Sequence, residues 1–158
     1  MTSSPADGMR FPRIDTKTLA GSELSFPKIT IGKKVLLLLV FENRGNYQEA
    51  QAQANQWISS WNKDPQTRQI ALYEIPMMGR FYRISQSWID QILRGPHNQA
   101  HHDSIACYYG SRKKYIRVLN IEQLDQAHLF LLNEQGLILH QVSGDFSKDK
   151  ISALMDYL

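Results

Sequence analysis

The sequence predicts an α/β fold with a mixed central sheet, and three observations carry that prediction. Val35 to Phe41 is an unbroken apolar run, too short to span a bilayer and too uniform for a strand with one wet face. Such a run fits a strand covered on both sides. Strand-like stretches then alternate with amphipathic helical ones, which implies right-handed parallel crossovers. Finally, Leu129–Asn133 and Leu137–Val142 flank Glu134-Gln135-Gly136 and read as a hairpin that adds an antiparallel edge.

Taken in order, residues 1–10 read as a disordered lead and 11–158 as one domain, the expected size for 158 residues. Thr18–Pro27 reads as a short strand pair turning at Ala20-Gly21. After the 34–41 strand, Tyr47, Ala50, Ala54, Trp57, Ile58 and Trp61 recur at spacings of three and four, which places them on one helix face. Asn46 and Glu49 fit a capping box at its start, and Asn62–Pro65 ends it. Ile70–Ile75 is the next strand, stopped by Pro76. Ser85 caps a short helix carrying Trp88, Ile89, Ile92 and Leu93, closed by Gly95-Pro96. Ile105–Tyr109 is a further strand, Ser111 caps a segment with Tyr115, Ile116 and Leu119, and Ser147 caps a last helix bearing Ile151, Leu154, Met155 and Leu158.

The totals narrow the function classes. A formal charge of +3, with 21% charged residues, lies far below the basic density of a nucleic-acid binder. It leaves room for an acidic protein surface or a peripheral contact with anionic lipid. The single cysteine, Cys107, excludes an internal disulfide and argues against thiolate metal sites. Met1–Gly8 is polar, with no apolar stretch of the signal or membrane-spanning kind.

The Phe11-Pro12 entry, the Leu19–Leu24 turn, Gly32-Lys33-Lys34-Val35 leading into the apolar strand, and the closing hairpin and helix resemble the thioredoxin-like fold. The form is the insertion-bearing one of peroxiredoxin and alkyl-hydroperoxide-reductase-type proteins, covering about residues 11–158. A three-layer α/β/α architecture with an N-terminal hairpin extension is what this likeness implies. In the second half, Tyr108-Tyr109-Gly110, Tyr115–Ile121, Leu129–Ile138 and Ser143-Gly144 are similar to mitochondrial ATP synthase assembly factors of the thioredoxin-like class. Where that family's hairpin continues Ile-Arg-Trp, this chain has Ile138-Leu139-His140.

In open α/β sheets, ligands gather where a central strand ends and its helix begins. Here that junction is Glu42-Asn43-Arg44-Gly45-Asn46. A thioredoxin-type reductase needs Cys-x-x-Cys at this point, because the helix N-terminus lowers the first thiol's pKa and the second resolves the mixed disulfide. A peroxiredoxin needs Pro-x-x-x-Thr-x-x-Cys in the same region. Neither is present, and no proline stands near Ala127-His128, where the resemblance implies one. The junction therefore reads as a vestigial active-site loop, with no catalytic residues and no cofactor.

Cys107 lies in an apolar strand and reads as a structural thiol, with a lone redox thiol as the alternative. His97, His101, His102 and Asp103 read as solvated loop residues, since Pro96 and polar neighbours oppose the helix that a metal-binding His pair would need. His128 and His140 read as ordinary strand residues. Arg112-Lys113-Lys114, with Arg117, is either a solvated helix face or a contact for an acidic partner or anionic headgroups. Met77, Met78, Arg80, Phe81 and Arg83 supply the flexible thioethers, aromatics and arginines found at interaction surfaces; the other reading is a loop with its aromatics tucked inward. The expected function is thus protein binding without redox chemistry, and the resemblance implies an assembly factor or chaperone for a membrane complex of the ATP synthase kind. The alternative is an antioxidant or thiol oxidoreductase using Cys107.

Overall fold

The computed structural model describes residues 8–42, 48–82, 85–93 and 102–158, without the side chains of Phe81 and Ile92. Asn46, Gly95 and Pro96, expected at helix ends, lie outside these residues, as do Asn43, Arg44, Gly45, Arg83, His97 and His101.

The apolar run forms strand β3 (Val35–Phe41), buried at every position. It pairs in parallel with β4 (Ala71–Met77) and antiparallel with β5 (Ala127–Leu132), which forms a hairpin with β6 (Ile138–Ser143). The sheet order is β4-β3-β5-β6. Because side chains alternate across a strand, Leu36, Leu38 and Val40 enter one core and Leu37, Leu39 and Phe41 the other. Burying each leucine contributes about 1.5–3 kcal/mol, so β3 anchors both layers.

Helix α1 (Gln48–Lys63) returns the chain from β3 to β4 and buries Ala50, Ala54, Trp57 and Trp61 on its inner face. The two indoles are polar as well as large, and each finds an acceptor: Trp57 Nε1 donates to Gly144 O at 3.0 Å and Trp61 Nε1 to Ile70 O at 2.8 Å. Helix α4 (Lys148–Met155) shares this layer through Leu154. Its expected cap is in place, with Ser147 Oγ accepting from Lys150 N at 3.1 Å.

The other face carries the hairpin of β1 (Ile14–Lys17) and β2 (Glu23–Phe26) and the short helix α3 (Lys113–Val118). Its inward residues are Ile14, Leu24, Phe26, Tyr115 and Leu119. Helix α2 (Gln86–Leu93) follows Ser85, as expected.

Four expectations need correction. Strand β4 runs through Pro76 to Met77. Pro76 O accepts from Tyr108 N at 2.9 Å, so its missing N–H would have pointed to that outer side, and the ladder to β3 survives. Residues 105–108 are not a full strand but run parallel to β4 through isolated bridges at Glu74↔Ile105 and Met77↔Tyr108. The N-cap of α3 is Arg112 rather than Ser111, and its guanidinium, which has donors only, makes no capping bond. Residues 8–10 are held rather than loose: Gly8 N donates to Ile138 O at 2.7 Å and Ile138 N to Met9 O at 2.8 Å, so they extend the edge of β6.

Candidate functional site

The C-terminal ends of β3 and β4 meet the start of α3 in one small region. Glu42, the first residue after β3, is buried, and its N–H donates to Met77 O at 3.2 Å. The Arg112 guanidinium donates to the carbonyls of Glu42 and, at 3.3 Å, Met77, the latter also accepting from Glu42 N–H. A single guanidinium nitrogen, Nη1, thus joins both strand ends.

The loop after β4 closes over this arginine. Met78 N and Gly79 N donate to Tyr108 O at 2.8 and 3.3 Å. Gly79 has φ +84°, a conformation that favours glycine, and a Cβ placed there would lie 3.1 Å from Arg112 Nε and crowd it. Sequence positions 77–80 and 112–114, expected as two separate surfaces, are therefore neighbours at one end of the sheet.

Their members are presented unequally. Met77 is buried in the core and takes no part in a surface. Arg112 is half-buried and turned to backbone carbonyls, while Arg80, Lys113 and Lys114 are exposed and Met78 is half-buried. Lys114 Nζ also stands 5.8 Å from the Tyr115 ring centre, a cation–π placement. The Phe81 side chain and Arg83 fall outside the described residues. The exposed part of the site is basic.

A buried carboxyl that no sequence motif marks lies on β4. Glu74 sits on the α1 side of β4, where Gln51 Nε2 donates to its Oε2 at 3.0 Å. Burial raises its pKa and the Gln51 bond lowers it less. A charged residue inside an apolar strand was the available signal. His128 is also buried, with Nε2 2.7 Å from Gln123 O and its ring edge-on to Phe41; desolvation lowers its pKa.

Cys107 stands apart from the β3–α1 junction, on the outer segment beyond β4. It is 4% exposed, and its thiol is pushed up to about 12, first by burial and then by the Asp90 charge, with Glu74 adding to the effect. Its surroundings are tied together: Tyr109 Oη donates to Asp90 Oδ1 at 2.7 Å, and Thr16 Oγ1 donates to Cys107 O. Among the described residues, no group of three or more His, Cys, Asp or Glu is placed to hold a metal ion, and no helix is long and apolar enough to cross a membrane.

No protein-family model matches this chain, and no curated protein matches it by sequence. Solved structures do. The exposed lipoprotein thioredoxin of Streptococcus pneumoniae superposes with TM-score 0.59 over 93% of this chain and 100% of its own, at 12% identity. Yeast Sco1 with copper bound gives 0.62 over 99% and 96%, at 15% identity. StoA of Bacillus subtilis gives 0.53 over 94% and 98%, at 17% identity. The chain has a thioredoxin-like fold, and likeness at these identities is likeness of fold.

Proposed function

We propose that this protein is a thioredoxin-like binding protein without thiol chemistry, which holds a protein partner at the C-terminal end of β3 and β4. The observation that carries the reading is the basic rim of Arg80, Lys113 and Lys114 around the Arg112 brace. It lies beside the end of β3, and the sequence that follows that strand has no cysteine pair of the kind a thioredoxin-type reductase needs. Exposed cations on a rigid base favour an acidic partner segment and speed its encounter. The second-half resemblance to ATP synthase assembly factors supports the finer reading, an assembly factor or chaperone for a membrane complex.

The second reading is a thiol oxidoreductase or antioxidant working through Cys107. It is favoured by the likeness to a thioredoxin and by the position of Cys107, one residue before the bridge between Tyr108 and Met77 near the same sheet end. Affinity capture of the tagged chain from its native cell in mild detergent separates the two. The binding reading expects membrane-complex subunits that disappear with the R80E/K113E/K114E variant and persist with C107S. Capture that survives the charge reversal but vanishes with C107S would replace it with the thiol reading.

A further inference from the structure

Among the described residues, Ile31 is the most exposed large hydrophobic, at 69%. It is not carried by a loose loop. Thr30 is fully buried, with its Oγ1 donating to Pro27 O at 2.7 Å. Ile31 N donates to Lys28 O at 3.2 Å, Lys33 N to Thr30 O at 3.0 Å, and Gly32 N to Glu134 O at 3.0 Å. Gly32, at φ +88°, makes the turn that leaves Ile31 at the tip, with nothing within 4 Å of the place a Cβ would occupy. The isoleucine is thus held out by a pinned backbone and cannot fold back without breaking those bonds.

Lys28 and Lys33 flank it, both exposed. Lys34 follows, with Nζ donating to Tyr157 O at 2.8 Å. That bond places Leu158, itself 40% exposed, at the same end of the sheet. The nearby acids are Asp15, which feels the Lys28 charge, and Glu134 across the turn. The segment Lys28–Lys34 itself contains no acid.

We propose that this loop is a contact for anionic membrane surfaces, with Ile31 entering the headgroup layer and Lys28 and Lys33 meeting lipid phosphates. A single aliphatic tip covers too little area for a stable protein contact. At a bilayer the same pieces fit, because lysine stems lie along apolar surface while their ammonium groups stay with the phosphates. Each lysine near an anionic surface strengthens binding about fivefold, and salt weakens it. The loop precedes Val35, at the opposite end of β3 from Glu42, so the contact is independent of the partner surface and compatible with its occupation.

The test is co-sedimentation of the full chain with vesicles of phosphatidylcholine alone or mixed with phosphatidylglycerol, at low ionic strength. Binding to the mixed vesicles only is expected, with release by added salt. K28Q and K33Q should each weaken it about fivefold. I31D should abolish it, and I31W should strengthen it, an outcome that misfolding does not mimic. The proposal is overturned if the wild-type chain stays in solution with anionic vesicles, or if I31D and wild type sediment equally. Binding to polyglutamate but not to vesicles would also overturn it, in favour of an acidic protein partner.

Discussion

The junction after β3 and the outer segment around Cys107 each possess one half of a thiol site. The junction has the position: the end of a fully buried central strand, followed by a helix whose N-terminus would stabilise a thiolate. It has no sulfur. The outer segment has the sulfur, yet Cys107 is buried, and burial first and the Asp90 charge second hold the thiol protonated. A fold supplies a place for chemistry and side chains supply the chemistry, and in this sequence the cysteine lies away from the junction after β3. Beside the end of β3, Arg112 bonds the Glu42 carbonyl, and Lys113 and Lys114 next to it are exposed.

Breaking the brace should have the largest effect. Arg112→Ala leaves two strand-end carbonyls without their charged donor and should cost about 2–3 kcal/mol in urea unfolding. Arg112→Lys should recover only part, since an ammonium is more strongly hydrated and costs more to hold half-buried. Gly79→Ala comes next, at about 1–2 kcal/mol, because φ +84° strains an L side chain and the new Cβ crowds Arg112. Equal stability of Gly79→Ala and wild type would show that the loop does not close over the arginine as described.

Glu74 makes a pH test of the region between the two sites. Its folded-state pKa is raised above the usual 4.5, so the folded protein holds the proton more tightly than the unfolded chain. Stability is therefore fullest below pH 4.5 on this group's account and declines as pH rises from there through the folded value. Glu74→Gln should melt higher than wild type at neutral pH, with the gap closing towards pH 4.5. His128 works in the reverse sense: its pKa is lowered from 6.5, so its contribution is lost as pH falls through 6.5 and below. A gap for Glu74→Gln that widens on acidification would contradict the burial of that carboxyl. The smallest stability change belongs to R80E/K113E/K114E, within about 0.5 kcal/mol per exposed position, although this variant should lose partner binding.

What was legible in the sequence is what local pattern controls. The Val35–Phe41 run, the three-and-four spacing of Ala50, Ala54, Trp57 and Trp61, and Ser147 before the last helix each carry their structure within a few residues. The site was half legible. Its place followed from strand–helix order, and Arg80, Lys113 and Lys114 were named from residue type. Arg112 looks like its lysine neighbours until the carbonyls of Glu42 and Met77, far away in sequence, demand a donor. Met77 reads as part of an interaction loop until register with Phe41 carries it into the core. Pro76 reads as a stop until its missing N–H is seen to face away from β3. In each case a tertiary neighbour overrode a sound local rule.

The most direct measurement is the rate at which Cys107 reacts with an aromatic disulfide reagent at neutral pH, in the native protein and in urea. Raising a thiol from 9.0 to about 12 lowers its thiolate fraction roughly a thousandfold, and burial blocks the reagent besides. The native thiol is expected to react only through opening of the structure, orders of magnitude slower than the unfolded chain. A native rate equal to or faster than the unfolded one would show an activated thiol and contradict a protein that works by binding alone.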